Sequence, residues 1–459
     1  MENITIEACA AEGKALTHWN GVVVFVPFAV PGDVVDIRVT KKSKNYYEGF
    51  VERIVTPSKD RLEPFCQHFG VCGGCKWQPL PYPMQLEAKR QQVYDQLVRI
   101  GHLNVPEIRP TIPSDKIQYY RNKLEFTFSS KRWLLKGEDI ESVPENDRMG
   151  LGFHVGKFFD KVLDIKHCYL QKDPSNDIRL FIKKYAVENG LDFFDIRQNV
   201  GYVRNMFIRT TDTGDLMVIM CFFYENREDR EKMLDAIAEA FPQITSLYYI
   251  INNKLNDSIG DQECILYKGE PTIRETMESL TFRIGPKSFY QTNSEQAYKL
   301  YSVARDFAEL TGNEIVYDLY TGTGTIAQFV SGKAAKVVGI EYVPEAIEDA
   351  KVNAAGNGIT NCEFFAGDMK DVLRRDFINE HGQPDVIILD PPRAGIHPDV
   401  AKVILEASPA RMVYVSCNPA SQARDLALFA DKYDITAVQP VDMFPHTQHV
   451  ENVCALRLR

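Results

Sequence analysis

With 459 residues, 44% of them hydrophobic and 25% charged, the chain has the length of about two to four globular domains and an ordinary soluble composition. Its formal net charge of -10 excludes a protein that coats nucleic acid through bulk charge, since such binding needs many phosphate contacts, and leaves room only for a local basic patch. No run approaches the ~18 apolar residues of a membrane helix, and Met1-Glu2-Asn3-Ile4-Thr5 lacks the basic-then-apolar form of a signal peptide, so a cytoplasmic protein with no membrane partner is expected, its ten cysteines free, metal-bound or catalytic.

Residues 1 to about 60 read as a small β unit. Gly21 to Pro27, Val34 to Val39 and Tyr46 to Ile54 are strands separated by turn residues, at a spacing that suggests a five-stranded barrel of the oligonucleotide-binding type. Lys41, Lys42 and Lys44 stand beside Tyr46 and Tyr47, a pairing of cations and rings suited to single-stranded nucleic acid, or to a solvated loop beside half-buried tyrosines. Cys66, Cys72 and Cys75 follow, interleaved with glycines that let the chain wrap closely, and Cys168 is a fourth candidate much further on. Four thiols make an S4 site for zinc or an iron–sulfur cluster, and spacing alone does not choose between them.

Residues 84 to 100 predict a helix with Leu86, Tyr94, Leu97, Val98 and Ile100 on its apolar face and Gly101 as its stop. Tyr119 to Phe128 alternates as a strand from Leu124 onward, inside the most basic stretch of the chain (Lys116, Arg121, Lys123, Lys131, Arg132, Lys136). Residues 137 to 149 read as a polar loop, and 151 to about 265 as an α/β region with strands near 206–209, 216–223 and 246–252 and a helix from Arg227 to Phe241. From about 313 strands and helices alternate in the βαβ rhythm of a doubly wound parallel sheet, whose ligands sit beyond the carboxyl ends of the strands.

Those strand ends carry the chemistry. The first runs into Asp318-Leu319-Tyr320-Thr321-Gly322-Thr323-Gly324-Thr325, glycines for close approach and an acid to order the loop. The second ends in Glu341, placed to accept ribose hydroxyls, and the third in Gly367-Asp368, placed to meet adenine. The loop lacks the third glycine of a dinucleotide site and any phosphate-binding Lys, which favours a nucleoside donor such as S-adenosylmethionine over NAD or ATP. The fourth strand ends in Asp390-Pro391-Pro392-Arg393, a stiff turn that an amine N-methylase would also use. The fifth ends in Ser416-Cys417-Asn418-Pro419, and Glu451 falls just before a final strand from Val453 to Leu458. Alone, Cys417 reads as a buried strand-end thiol. With a methyl donor and Glu451 alongside, it suits methylation of uracil C5: thiolate addition at C6 makes C5 nucleophilic, and a base then removes the C5 proton.

On these residues, with Tyr120-Arg121-Asn122-Lys123, Phe289-Tyr290-Gln291-Thr292-Asn293 and His449-Val450-Glu451, the chain resembles the RNA (uracil-5-)-methyltransferase family, specifically its iron–sulfur members with an N-terminal TRAM domain. The resemblance implies Cys417 as nucleophile, Glu451 as general base, and S-adenosylmethionine contacts from Gln291, Tyr320, Thr325, Glu341, Asp368 and Asp390. It resolves the site of Cys66, Cys72, Cys75 and Cys168 toward a [4Fe-4S] cluster. It implies a multidomain α/β protein: a TRAM-like barrel over 1–60, a central RNA-binding domain from 61–81 and 119–278, and a Rossmann-like class I methyltransferase domain from 82–118 and 279–459. The expected substrate is RNA, 23S ribosomal RNA ahead of the tRNA T-loop, and the expected state a monomer. The rivals are an exocyclic-amine N-methyltransferase and an RNA-binding or redox-sensing module with a vestigial sheet.

Overall fold

The computed structural model describes residues 1–139, 141–144, 147–156 and 158–459. Among these residues the chain forms a six-stranded sheet, two seven-stranded sheets and a two-stranded ribbon. None of their helices is long and apolar enough to cross a membrane.

The first sheet is built from Ile4–Thr5, Ala8–Cys9, Lys14–Trp19, Val22–Pro27, Val34–Lys42 and Tyr46–Thr56. Alternation buries Ala15, Val24, Val26, Val35 and Ile37 with Ile4 and Ile6 in one small core. It has six strands rather than the five expected, because Ile4–Thr5 and Ala8–Cys9 are too short to show a period. Lys41 donates to the Tyr46 hydroxyl at 3.1 Å and Lys42 lies 5.8 Å from the Tyr47 ring centre, so the anticipated pairing of cations with rings forms.

The second sheet carries Lys123–Ser129, Val203–Thr210, Leu216–Phe222 and Ser246–Ile251 at its centre, close to the strands read from sequence. Helices Ser175–Glu188 and Arg227–Ala240 cover it through a core that includes Ile178, Ile182, Leu234 and Ile237. Of the polar loop read over 137–149, positions 140, 145 and 146 lie outside the described residues.

The third sheet contains β1 (Ile315–Leu319), β2 (Lys336–Glu341), β3 (Cys362–Ala366), β4 (Val386–Leu389), β5 (Arg411–Ser416), β6 (Tyr433–Val441) and β7 (Glu451–Leu458). Its order is β3-β2-β1-β4-β5-β7-β6. β1 to β5 are parallel and read as continuous apolar runs because helices cover both faces. The last pair departs from the all-parallel expectation: β7 is antiparallel to both β5 and β6. It also begins two residues earlier than expected, so Glu451 opens the strand.

Tyr82–Tyr94, extended by a wider π-helical turn over Asp95–Ile100, packs on this third sheet. Its buried face matches the one read from sequence only at Leu97 and, in part, Val98. Gln85, Lys89, Val93 and Leu97 are inside, whereas Tyr94 and Ile100 are 39% and 64% exposed. The reason is a polar network: Lys89 forms a fully buried ion pair with Asp442, and Gln85 accepts from the His446 amide at 2.8 Å. Burial of a charge is tolerable only with such a partner.

Candidate active site

Because neighbouring strands lie about 4.8 Å apart, the sheet order places Glu341, Tyr320, Asp390 and Cys417 in a row along the carboxyl edge, with Glu451 next on β7. All five line one cavity of about 1190 Å³. That volume exceeds the ~300–1,000 Å³ of ordinary small-ligand pockets and has room for a nucleoside donor beside a second flat ring.

The glycine loop is held from beneath. Asp318 is fully buried, and its carboxylate accepts from the Thr321 hydroxyl at 2.5 Å and the Ala327 amide at 3.0 Å. Burial, then the charge of Glu341, pushes its carboxyl up to about 7. Tyr320, at φ 67°, occupies the left-handed region that a bulky residue rarely enters, the kind of strain that turns a side chain toward a site. Glu341 accepts from the Gly322 amide at 3.1 Å and the Val343 amide at 3.0 Å, which fixes the carboxylate while leaving lone pairs for hydroxyls.

Gln291 and Thr325 line the same cavity. Asp368 is not among the lining residues: it caps the short helix Met369–Val372 by accepting from the Lys370 amide and pairs with the Lys370 ammonium at 3.1 Å. Arg121, Phe289, Tyr342, Arg393 and His449 line the cavity without having been given a role from sequence. Arg393 and His449 lie inside motifs already singled out. So do Arg121 and Phe289, whereas Tyr342, a 70% exposed aromatic next to Glu341, carries a signal only in hindsight.

Cys417 leaves the end of β5 just before helix Pro419–Phe429. Pro419 starts that helix at its favoured first position, and Asn418 caps it, accepting from the Ala420 amide at 3.1 Å. The Asn418 carboxamide also donates to the Arg393 carbonyl at 3.1 Å, which ties the thiol turn to the Asp390-Pro391-Pro392-Arg393 turn. Ser416 pairs with Asn452 across the β5–β7 ladder, so Cys417 and Glu451 face each other one step further on. Gln422 locks that register, donating to the Tyr414 and Asn452 carbonyls at 2.9 and 3.2 Å.

Electrostatics follow from burial among acids. Burial, then Glu451 and Asp390, pushes the Cys417 thiol up to about 11, against the opposing pull of Arg393. Burial and Asp390 push Glu451 up to about 8, and burial and Asp318 push Asp390 up to about 7. His449 is pulled down to about 4 by burial and by Arg393, Lys89 and Arg121, and so is neutral at physiological pH. A thiol facing a carboxyl of near-neutral pKa can exchange protons with a ring held between them.

Cys66, Cys72, Cys75 and Cys168 line a separate cavity of about 340 Å³. Cys72 bridges to Val155 of the second sheet, and the Cys168 amide donates to Asn176 at 2.8 Å. Among the described residues no three His, Cys, Asp or Glu side chains stand close enough to hold a single metal ion, and no carboxylate lines this cavity. Four thiols round one void, with His68, His154 and His167 also on its wall, are the donor type of zinc and iron–sulfur sites alike. Burial pushes all four thiols up, Cys75 to about 11 and Cys168 to about 12, so they stay protonated unless a cation draws the protons off.

A family model described as tRNA (Uracil-5-)-methyltransferase matches residues 209–459, and a TRAM domain model matches residues 2–51. An uncharacterized RNA methyltransferase of Porphyromonas gingivalis is 58% identical over 456 residues, covering 97% of this chain and 98% of the relative. One of Bacteroides thetaiotaomicron is 58% identical over 453 residues, covering 98% and 100%. Among solved structures, the Pyrococcus abyssi tRNA (uracil-54, C5)-methyltransferase in complex with S-adenosyl-L-homocysteine is similar with a TM-score of 0.76 and 28% identity, covering 99% of this chain and 100% of that one.

Proposed function

The chain belongs to the tRNA (uracil-5-)-methyltransferase family and is an S-adenosylmethionine-dependent RNA methyltransferase, and from that premise we propose that it methylates C5 of one uridine with Cys417 as nucleophile and Glu451 as general base. The observation that carries this reading is the facing of Cys417 and Glu451 across the β5–β7 ladder into one cavity with Asp390.

The uridine must leave its stack to enter. Cys417, ionised to its thiolate, bonds through sulfur to C6, and the displaced π electrons spread over C5 and O4 as an enolate. C5 then attacks the sulfonium methyl, forming a carbon–carbon bond as the S–CH3 bond breaks and releasing S-adenosylhomocysteine. Glu451 takes the C5 proton, the C5=C6 bond re-forms, and the Cys417 sulfur departs as thiolate. Gln291, Tyr320, Thr325 and Glu341 hold the donor, and Asp390, between donor and nucleophile, orients one or the other. Asp368 is kept as an outer contact to the adenine, reached past the Lys370 side chain. We assign three domains: 1–60, 61–81 with 119–278, and 82–118 with 279–459.

We propose that Cys66, Cys72, Cys75 and Cys168 hold a [4Fe-4S] cluster that braces the chain and takes no part in the bond changes. Iron and sulfide at about four each per chain, with a brown absorbance near about 400 nm, is the expected result; stoichiometric zinc in a colourless protein overturns it. The RNA is read as 23S ribosomal RNA, encountered in the cytoplasm by a monomer, on the pairing of four such cysteines with a TRAM barrel. A tRNA uridine is the second reading, favoured by the likeness to an enzyme named for uracil-54 of tRNA. Mapping 5-methyluridine in both RNAs from a deletion strain decides between them.

The mechanism is tested with 5-fluorouridine RNA. Fluorine cannot leave as a proton, so a denaturation-resistant protein–RNA adduct is expected, and Cys417→Ala should abolish it. An amine N-methyltransferase would form none, and a redox or binding module would fail to bind S-adenosylmethionine by calorimetry.

A further inference from the structure

The cysteine cavity and the catalytic cavity share a wall residue, Arg121, and the chain around it is tied to both. The amides of Tyr119 and Arg121 each donate at 2.7 Å to the Tyr169 and Leu170 carbonyls, directly after Cys168. One residue on, the Asn122 amide and carboxamide each donate at 2.8 Å to the Thr292 and Gln291 carbonyls at the donor pocket. Between them, the buried Tyr120 hydroxyl donates to the Pro445 carbonyl at 3.0 Å.

A second connection starts at the other cysteines. The Lys76 and Trp77 amides, next to Cys75, donate to the His446 carbonyl at 2.8 and 3.0 Å. Phe65, next to Cys66, meets the His446 ring edge-on at 5.0 Å. His446 itself sits at φ 64°, a conformation that persists only where its surroundings impose it. The segment so clamped continues into His449 and Glu451, and Phe444 on its near side stacks under the Arg121 guanidinium at 5.0 Å. Phe444, His449 and Glu451 all line the catalytic cavity.

We propose that the Pro445–His446 turn transmits the order of the cysteine cavity to Glu451, with Tyr120 and His446 as positioning residues for the base. This rests on the readings of Glu451 as base and of the four thiols as a cluster site. The physical reason is that both flanks holding the turn, residues 75–77 and 168–170, adjoin thiols of one ligand set. A group bonded to all four thiols fixes both flanks at once, and its loss frees both anchors together. A misplacement of about 1 Å is enough to cost about a hundredfold in rate.

The test uses the iron-loaded enzyme and the same sample after chelation, followed by amide hydrogen exchange. Residues 442–452 should lose protection by about tenfold or more, while β4 and β5 keep theirs. Because chelation can loosen the whole second sheet, Tyr120→Phe is the companion. It should keep its iron, its absorbance and its affinity for S-adenosylmethionine within about twofold, yet slow turnover about tenfold or more with little change in KM for RNA. It should also accumulate methylated protein–RNA adduct on ordinary uridine, which a merely structural lesion would not produce. Protection of 442–452 unchanged by iron removal, or a Tyr120→Phe enzyme with wild-type turnover and no adduct, overturns the proposal. Iron analysis of the starting sample separates the failures. Absence of iron overturns the cluster reading and this inference with it. Iron present but no adduct from wild type on 5-fluorouridine RNA overturns the mechanism and with it the positioning of a base by Tyr120 and His446, while the exchange experiment still decides whether the cysteine cavity orders the turn.

Discussion

Cys417, just past the end of β5, and Glu451, the first residue of β7, each adjoin the Ser416–Asn452 pair that ends the antiparallel ladder. Both side chains line the catalytic cavity, so a uracil ring attached to the sulfur at C6 lies in the same cavity as the carboxylate that takes its C5 proton. Glu451→Gln should therefore still add the thiol and transfer the methyl but fail to release product. We expect turnover to fall about 10²- to 10⁴-fold while methylated, denaturation-resistant adduct accumulates on ordinary uridine RNA, visible by gel and mass spectrometry. A variant that loses methyl transfer and adduct together would place Glu451 earlier in the reaction.

The pair also sets the pH response. The thiol is held up to about 11, after burial mainly by the Glu451 charge, and Glu451 is itself held up to about 8. The rate at subsaturating RNA should rise through about pH 8 as Glu451 loses its proton and keep rising toward the thiol range. Removing the neighbouring charge in Glu451→Gln should make the thiol easier to ionise. The midpoint of Cys417 alkylation by iodoacetamide, followed by mass spectrometry, should move down from about 11.

Stability of the ligand-free protein should fall with rising pH across the same region. Asp318, Asp390 and Glu451 are raised to about 7, 7 and 8 from ordinary values of 3.8, 3.8 and 4.5. Each keeps its proton in the fold where the unfolded chain has lost it, so its contribution is complete below about pH 4 and is gone above about pH 8. Thermal melts from acid to mild alkali should show this decline, and Glu451→Gln should flatten its upper part.

Lys89 and Asp442 are both fully buried, 353 positions apart in sequence, and Asp442 also accepts from the Tyr82 hydroxyl at 2.8 Å. Lys89→Met leaves that carboxylate without its cation. The expected loss is about 3–5 kcal/mol in denaturant unfolding.

Gly324 and Gly322 both have positive φ, 72° and 56°, but differ in surroundings. A Cβ at Gly324 would meet the Phe364 ring at 2.8 Å and the Ala350 Cβ at 2.9 Å, whereas one at Gly322 meets nothing within 4 Å. Gly324→Ala should therefore weaken S-adenosylmethionine binding by calorimetry far more than Gly322→Ala, which carries only backbone strain of about 1 kcal/mol.

The parallel strands of the third sheet were legible locally, because residues buried on both faces leave unbroken apolar runs such as Val386–Leu389, and Pro344 at a first helical position is a local signal too. The chemical inventory was local as well: Cys417, Glu451, Asp390 and Glu341 stand at strand ends, and three of the four thiols cluster within ten residues, Cys66 to Cys75. Only the tertiary structure decided which of these meet. Tyr82–Tyr94 turns the polar Gln85 and Lys89 inward because His446 and Asp442, from the far end of the chain, satisfy them. Asp368 caps its own helix and pairs with Lys370, while Arg121, one basic residue just ahead of the strand Lys123–Ser129, lines both cavities. Local pattern encodes what a residue can do; strand order and long-range polar partners fix what it stands beside, and that Cys417 faces Glu451 follows from an antiparallel β7 inserted next to β5, which no local period records.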